Sequence, residues 1–233
     1  MRNPLFRRIP REIRGELGKY VVIFLFMVAI ISVASGYFIG DASLKAAYDN
    51  SFADYNIEDG NLELPLAADD AMTEALEAED IRIYENFYSD LACKNDSKLR
   101  IFKLRDTVNK ICLLSGSLPE AEDEIALDRL YMKSNDISEG DTVTAGGLDF
   151  RVTGTVALPD YSALYEHNTD FMFDTEKFGV SAVSESGFAR IPEDGMHWSY
   201  SWKYDDPPAE RFSEDAVNRS DDLPFPIWYA FPR

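Results

Sequence analysis

The sequence predicts an α+β protein with one N-terminal transmembrane helix. This helix extends as a stalk and leads into an extracytoplasmic α+β domain with a small twisted β-subdomain. Three observations predict this class. No charged residue lies between Lys19 and Asp41, and the two sides of that stretch differ in the sign of their net charge. The rest of the chain mixes strand-like alternation with helical spacing over about 175 residues, enough for a hydrophobic core.

Residues 20–40 are almost entirely aliphatic, aromatic or small. A helix rises about 1.5 Å per residue, so about 20 residues cross the roughly 30 Å hydrocarbon core of a bilayer. Only a helix satisfies its own backbone there, which predicts a transmembrane helix at 20–40. A cleaved signal peptide is the alternative, because small residues stand near Ala34. The long N-terminal region with Glu12 and Glu16 favours an uncleaved anchor.

The charges on either side of this helix predict its orientation. Of 23 basic and 42 acidic residues, six basic and two acidic lie in 1–40, which leaves 17 basic and 40 acidic residues, a net charge of −23, in 41–233. Basic residues beside a spanning helix stay on the cytoplasmic side. We therefore predict a cell-membrane protein, single-pass in this chain, with a cytoplasmic N-terminus and an extracytoplasmic C-terminal domain. An acidic domain repels phosphates, so no nucleic acid is expected as a partner.

Two further segments flank the helix. Residues 1–19 are predicted to be a cytoplasmic basic amphipathic segment, with Ile9, Ile13 and Leu17 on one stripe and the arginines placed to meet lipid head groups. A basic stop signal without further role is the alternative. Residues 41–56 keep a helical spacing and are predicted to form a stalk helix, which the turn-forming pair Asp59-Gly60 would end.

Within the transmembrane helix, Ser32, Gly36 and Gly40 are spaced four residues apart and share one face. Small side chains let a second membrane helix approach closely, so this face is a predicted helix-packing face. The alternative is a lone anchor that carries small residues by chance. No later stretch is apolar enough to span, so partner helices would come from another chain or from a part of the protein outside this sequence.

Residues 57–210 are predicted to form the outer domain, and residues 211–233 a poorly ordered C-terminal segment. The acidic pair Asp69-Asp70 predicts the start of a helix that reaches Ala78. Alternation and β-branched or aromatic content predict strands. These strands are placed at Leu62–Leu66, from Ile81 towards Leu91, at Leu99–Leu104, at Ile111–Leu114 as a short buried strand, at Phe188–Ile191, and, with a turn, around Phe171, Phe173 and Phe178.

The block 113–161 predicts a small twisted β-unit. Ile125 and Leu127 alternate inward on one strand. Gly146-Gly147 is typical of a tight hairpin turn, after which the chain returns through Phe150 to Val156. Gly154 in the returning strand indicates a bulge or a point of close packing.

The same block carries a resemblance to a known family. Its motifs follow one another as Gly116-Ser117-Leu118-Pro119, Glu124-Ile125-Ala126-Leu127, Gly140-Asp141-Thr142-Val143, Val152-Thr153-Gly154 and Pro159-Asp160-Tyr161. This order resembles the extracytoplasmic domain of FtsX-like ABC transporter permeases, the MacB-like periplasmic core domain. The basic segment that leads into a first spanning helix and its stalk is similar too. The resemblance covers about residues 5–180.

The resemblance implies a permease subunit that couples ATP hydrolysis by a partner chain to movement of the outer domain, for export, lipoprotein release or signalling. It implies a cytoplasmic ABC ATPase, bound through parts of the permease not in this chain, a second permease copy and membrane lipid as partners. Family members have four or more spanning helices. This sequence contains one, so we expect it to represent the N-terminal part of such a permease.

An aromatic strand near the end of the domain allows two interpretations. Trp198, Tyr200, Trp202 and Tyr204 alternate, so their rings share one face of a strand. They either cover the core or present a ligand or partner face to a peptide, a glycan or another domain. The second interpretation supports an alternative function, a membrane-anchored or secreted extracellular binding domain.

The sequence shows no enzyme chemistry. It contains no Gly-rich phosphate loop and no G-x-S-x-G turn, and His167 and His197 have no partner at metal-ligand spacing. We therefore predict a non-enzymatic protein without catalytic residues, cofactor or metal. Cys93 and Cys112 are expected to be free thiols, and a disulfide is possible only if their strands are neighbours.

Overall fold

The computed structural model describes Gly15 and residues 17–77, 81–161, 163–167 and 170–206, with the backbone alone at 41–46, 48–49 and 75–76. The predicted segment 211–233 and most of the predicted segment 1–19 lie outside these residues. The chain forms two compact units, Met1–Asn50 and Ser51–Arg233.

Four α-helices lie in the described residues: α1 at Leu17–Asp54, α2 at Asp70–Glu77, α3 at Arg129–Ser134 and α4 at Glu185–Phe188. Helix α1 runs without a break through 38 residues and so covers both the predicted transmembrane helix and most of the predicted stalk. It ends before Asp59-Gly60, because Asn56 takes a left-handed backbone conformation with φ 49°.

The described residues also form ten strands. They are β1 Gly60–Leu64, β2 Ile81–Glu85, β3 Tyr88–Ala92, β4 Lys98–Lys103, β5 Cys112–Gly116, β6 Glu124–Asp128, β7 Thr142–Ala145, β8 Leu148–Ala157, β9 Phe178–Val183 and β10 Met196–Tyr204. The predicted α+β class with an N-terminal apolar helix is confirmed.

The strands form one mixed sheet in the order β1-β10-β3-β4-β9-β6-β8-β5, with β2 also on β10 and β7 also on β8. The pairs β4–β9 and β6–β8 are parallel and the other pairs are antiparallel. Strand β10 joins the two parts of the sheet: Met196 and His197 pair with β3, whereas its later residues pair with β1 and β2. Two hydrophobic clusters result. The large one is formed by strands β3, β4, β6, β7, β8 and β9 with helix α3, and the small one lies around Trp202.

One predicted strand is two strands. The run from Ile81 towards Leu91 is interrupted at Asn86-Phe87, where the backbone N–H of Asn86 donates to the carbonyl of Ser199 at 2.9 Å. The break lets β2 and β3 pair with different parts of β10. Alternation alone did not reveal it, because apolar residues stand on both sides of the interruption.

Three other predictions of local structure are wrong. Strand β5 is not buried: it is an edge strand on which Leu113 and Leu114 are 42% and 45% exposed. Phe171 and Phe173 lie in a loop and not in a strand, whereas Phe178, predicted with them, follows a turn and begins β9. The stretch at Phe188–Ile191 is not a strand, because Phe188 ends helix α4 and the following residues form no strand. The first turn of α4 is capped by the Ser184 hydroxyl, which accepts from the N–H of Gly187 at 3.1 Å.

The twisted β-unit is as predicted. Gly146 and Gly147 connect β7 to β8 with φ values of 58° and 81°, a conformation that glycine adopts without strain. The pairing of β8 with β6 shifts by one residue before Gly154. A Cβ at Gly154 would lie 2.4 Å from the carbonyl oxygen of Ser117, so this glycine is a point of close backbone packing.

We expect Gly154→Ala to lower the free energy of unfolding by about 1–3 kcal/mol, because the added methyl group meets backbone atoms that cannot rotate away. Urea unfolding of the full chain in detergent, followed by circular dichroism, measures this. Gly18→Ala is the matched control, since a Cβ there meets no atom within 4 Å. Equal stability of the two variants would contradict the prediction.

Candidate functional site: the end of helix α1 and its joint with the sheet

Helix α1 contains one stretch, Leu17–Gly40, that is long and apolar enough to cross a membrane, the one such stretch among the described residues. Its side chains are exposed, for example Val33 at 75% and Phe38 at 71%. A Cβ added at Gly36 or Gly40 would meet no atom within 4 Å. The predicted packing face of Ser32, Gly36 and Gly40 is therefore open along the helix, and its role stays a prediction.

The last turn of α1 belongs to the second unit and is anchored by its own apolar side chains. Phe52 is 9% exposed and Ile57 is 6% exposed. The N–H of Ile57 donates to the carbonyl of Phe52 at 3.2 Å, which closes the turn around Asn56. The chain leaves the helix in a defined direction, since this turn is both buried and hydrogen-bonded.

The loop between β4 and β5 holds the same turn through three further bonds. The N–H groups of Asn109 and Lys110 donate to the carbonyls of Asn56 and Tyr55 at 3.1 and 2.9 Å. The Asn56 side-chain amide donates to the carbonyl of Thr107 at 2.8 Å. Residues 55–61 and 107–110, with Ser201 of β10, are called the joint from here on.

Glu58 lies at the centre of the joint and is 5% exposed. One carboxylate oxygen accepts from the Asn61 amide at 2.9 Å. The other accepts from the Asn109 amide at 2.6 Å and from the Ser201 hydroxyl. The backbone N–H of Glu58 donates to the Asn109 side-chain oxygen at 2.9 Å. Three separate segments of the domain therefore meet on one buried side chain.

The protonation of Glu58 is shifted by this environment. Burial raises its pKa, and the nearby negative charge of Asp160 raises it further. The hydrogen bonds from Ser201, Asn61 and Asn109 act in the opposite direction but do not cancel the effect of burial. The folded joint thus favours the protonated form of Glu58 more than water does.

Asp160 forms a second buried contact beside Glu58. Its carboxylate accepts two hydrogen bonds from the Arg105 guanidinium, at 2.8 and 2.9 Å, and the two side chains are 6% and 8% exposed. The guanidinium also donates to Asn86 at 2.9 Å and lies over the Phe102 ring at 4.9 Å. This two-pronged geometry is the strongest that an arginine–carboxylate pair adopts.

Tyr161, the next residue, is held in the same way. Arg100 donates to the Tyr161 hydroxyl at 3.0 Å and pairs with Asp90 at 2.7 and 2.8 Å. The guanidinium lies 4.3 Å from the centre of the Tyr88 ring. The Pro159-Asp160-Tyr161 motif therefore has a structural role. Arg100 of β4 and Arg105, which follows β4, are buried and hold this segment against the sheet, and these contacts are called the clamp.

The four rings of the predicted ligand face do share one side of β10, but they pack inward. Tyr200, Trp202 and Tyr204 are 4%, 2% and 9% exposed, and Trp198 is partly buried against the same cluster. Phe87 meets Trp198 and Tyr200 edge-to-face at 4.9 and 5.2 Å between ring centres. This face forms the core of the small cluster, and a ligand could not reach three of its rings in this conformation.

The histidines and cysteines occupy structural positions. His197 bonds to Glu63 at 2.7 Å and stacks on the Tyr88 ring, and His167 lies near Asp170. Among the described residues, no group of three His, Cys, Asp or Glu side chains could hold a metal ion.

Cys93 and Cys112 are free thiols. The backbone of Cys93 forms an isolated β-bridge with Ala145, which pairs with the first residue of β8. Cys112 pairs with Ala157, the last residue of β8. Nine residues of strand separate these places by about 30 Å, too far for a disulfide.

Glu58, Asn109, Arg105 and Asp160 were missed as a group by sequence reasoning. Glu58 is one of 42 acidic residues, and no spacing distinguishes it from an exposed carboxylate. Asp160 was seen only as part of a motif. A usable signal was present at Asn109, because asparagine is enriched among the non-glycine residues that adopt the left-handed conformation, which it has here with φ 51°.

Comparison with solved structures finds proteins that this chain resembles only weakly. No protein-family model matches the sequence, and no curated protein matches it. The periplasmic region of MacB from Actinobacillus actinomycetemcomitans is 16% identical with a TM-score of 0.34; the likeness covers 60% of this chain and 62% of that one. The extracellular domain of the noncanonic ABC-type transporter YknZ from Gram-positive bacteria is 12% identical with a TM-score of 0.38, covering 70% and 89%.

Proposed function

We propose that this chain is the N-terminal part of an ABC transporter permease subunit. It couples ATP hydrolysis by a cytoplasmic partner chain to movement of its extracytoplasmic domain, for export, lipoprotein release or signalling. The ATPase binds parts of the permease that this chain does not contain. A second permease copy and membrane lipid are its other partners. The motif order from Gly116 to Tyr161 and the apolar helix before it support this family of functions.

The observation that carries the proposal is the continuity of helix α1. Its apolar stretch ends at Gly40, and the same helix continues to Asp54, where the joint begins. An α-helix keeps its backbone hydrogen bonds along its whole length. The bonds from Asn109 and Lys110 tie its end to the sheet. We infer that the proposed coupling acts through this helix and these bonds.

The orientation follows from charge. Arg7, Arg8, Arg11, Arg14 and Lys19 precede the apolar stretch, and the chain after it is strongly acidic. Basic residues beside a spanning helix stay cytoplasmic, so the domain lies outside the cell membrane. The alternative, an anchored or secreted binding domain, depended on an aromatic ligand face. Burial of Tyr200, Trp202 and Tyr204 in the core removes that support.

ATP-driven movement tests the proposal directly. The complete permease is reconstituted in nanodiscs with a candidate partner ABC ATPase, and a spin label is placed at Phe171, which is fully exposed in the outer domain. Distances between labels on the two copies are measured with and without ATP, in a background where Cys93 and Cys112 are serine. We expect ATP to change the distance distribution.

The control breaks the connection and leaves the parts intact. Two glycines inserted after Asn50 interrupt helix α1 between the two units. We expect ATP hydrolysis to continue and the distance change to be lost. Failure of the ATPase to assemble with the permease, or an insertion variant that responds to ATP like the parent, would refute the proposed coupling.

Gly36→Leu is expected to weaken association of helix α1 with other membrane helices several-fold while membrane insertion stays intact. The larger side chain fills the groove formed by Ser32, Gly36 and Gly40, and close helix approach depends on such a groove. Cross-linking of the complete permease in membranes measures the association.

Ala34→Leu is the matched control for this prediction. Position 34 lies about 200° around the helix from Gly36, so a leucine introduced there lies on the opposite face. We expect normal association for this variant. Equal cross-linking of the two variants would show that the small-residue face is not an interface.

A further inference from the structure

Strand β5 is an edge strand of the sheet with an open outer side. It pairs with β8 on one side, and no described strand lies on its other side. The residues from Leu113 to Gly116 are all exposed, and Leu113 and Leu114 are 42% and 45% exposed. A free strand edge with large apolar side chains favours pairing with another strand, because its unpaired N–H and C=O groups offer a ladder of hydrogen bonds.

The other edge strands among the described residues have features that oppose such pairing. Strand β1 contains Glu63, and β2 contains Arg82 and Glu85. Strand β7 contains no charge, but the backbone of Cys93 forms a bridge with its last residue, Ala145. Charged side chains, prolines and bulges are the usual protection of a free edge. Strand β5 contains no charged residue and no proline, so a bulge is the only one of these features that it has.

This bulge leaves the middle of β5 without a partner in the sheet. The pairing with β8 passes from Leu113 opposite Val156 to Ser115 opposite Thr155, so Leu114 is opposite no residue of β8. The extra residue of a bulge is left out of the ladder on either side of it. Leu114 is therefore exposed and unpaired with β8 at the centre of the open strand.

The charges around β5 favour a second copy of the same strand as its partner. The chain after residue 40 is strongly acidic, so two outer domains repel each other over most of their surface, whereas β5 itself carries no charge. Lys110 precedes β5 and is exposed, and Glu139 lies at the other end, where its carboxylate accepts from the Ser115 hydroxyl. In an antiparallel pair of identical strands, the start of one lies beside the end of the other. Lys110 of each copy then lies near Glu139 of the other copy.

We propose that β5 of this chain pairs antiparallel with β5 of a second copy. A two-fold axis at Leu114 places the two Leu114 residues opposite each other and Leu113 opposite Ser115 of the second copy. Both copies use the same surface, and the opposite charges of Lys110 and Glu139 meet at each end of the paired strands. The pairing rests on the proposed function in one respect, that the permease contains two copies of this chain.

The contact is small, so it forms between copies that are already held together. Strand β5 has five residues, whereas a stable interface between free proteins has about 20–30 residues a side. Two copies in one assembly meet at an effective concentration on the order of millimolar, at which weak contacts form. We therefore expect the pairing in the assembled permease.

Cysteine cross-linking in membranes tests the pairing without any ATPase. The complete permease carries Leu114→Cys in a background where Cys93 and Cys112 are serine. Opposite residues of an antiparallel pair have Cα atoms about 4.5–5.5 Å apart, a separation that a disulfide spans. We expect mild oxidation to join most chains into dimers, and the mass of the product identifies a second copy of the chain.

Two controls distinguish specific pairing from random collision. Leu130→Cys places a thiol at a leucine that is 38% exposed on helix α3, outside β5, and should give at least about tenfold less dimer. Lys110→Glu, added to Leu114→Cys, should lower the dimer yield several-fold, because it places two carboxylates together at each end. Adding Glu139→Lys to that variant exchanges the two charges and should restore the yield.

Four results would overturn the pairing: no dimer with Leu114→Cys, equal dimer with Leu130→Cys, a product that contains a different protein, or no recovery in the charge-exchanged variant. The mass of the permease before oxidation separates this failure from that of the proposed function. Two copies without a cross-link overturn the β5 pairing alone, whereas a single copy overturns both proposals. If the dimer forms through Leu114 and ATP produces no movement, β5 pairs as proposed and the coupling proposal is wrong.

Discussion

Asp160→Ala is expected to lower the free energy of unfolding of the outer domain by about 3–5 kcal/mol. The substitution leaves the Arg105 guanidinium 92% buried and without the carboxylate that takes two of its hydrogen bonds, since the side chain is 8% exposed. A buried charge without its partner is far more costly than the pair is stabilising. Urea unfolding of the full chain in detergent, followed by circular dichroism, measures the change.

The matched control removes an aspartate from an exposed pair. Asp205 contacts Arg82 at 2.7 Å, but the two side chains are 50% and 67% exposed, so Asp205→Ala should change the free energy of unfolding by at most about 1 kcal/mol. The double variant Asp160→Ala/Arg105→Met should regain part of the loss, because it removes the unpaired charge. If Asp160→Ala and Asp205→Ala cost the same, the clamp has no special role in stability.

Trp202→Ala is expected to lower the free energy of unfolding by a similar amount, about 3–5 kcal/mol. The ring is 2% exposed in the small cluster and meets Tyr204 edge-to-face at 5.0 Å. It also fills the space above Gly60, where an added Cβ would lie 2.3 Å from the ring. Removal of the ring leaves a cavity over Gly60 in the small cluster. Thermal unfolding of the full chain measures the loss.

This variant also separates the two interpretations of the aromatic strand. If β10 is a core strand, Trp202→Ala destabilises the domain strongly, and Trp198→Ala, at the partly buried end of the strand, destabilises it less. A ligand face predicts near-normal stability for both variants. If the Trp202→Ala protein is as stable as the wild type, the result supports the interpretation of β10 as a ligand face.

Helices and strands with one clear periodicity were predicted from sequence. The apolar stretch at 20–40 specifies its helix through length and composition, because a bilayer admits few other structures. The hairpin at Gly146-Gly147 and the close approach at Gly154 were visible because glycine is required where the backbone turns to positive φ or where two backbones touch. These features depend on residues close together in the chain, so the sequence alone predicts them.

Predictions from sequence failed where pairing with another strand decides the burial or the ends of a strand. Strand β5 has the apolar composition of a buried strand, yet it pairs with β8 alone and leaves Leu113 and Leu114 exposed. The break at Asn86-Phe87 exists because two parts of β10 take β2 and β3 separately. The aromatic run of β10 was correctly predicted as a strand with its rings on one side, but which side faces the core is set by residues more than a hundred positions earlier.

The sequence by itself determined an apolar helix able to span a membrane, the charge difference across it, and the order of motifs in the outer domain. Only the tertiary structure decided what attaches that helix to the sheet. Glu58, Asn109 and Ser201 are up to 143 residues apart in the chain and meet because β10 returns beside β1. Burial then changes the chemistry of Glu58, since removal of water raises the cost of its negative charge, and no local pattern of residues reports that cost.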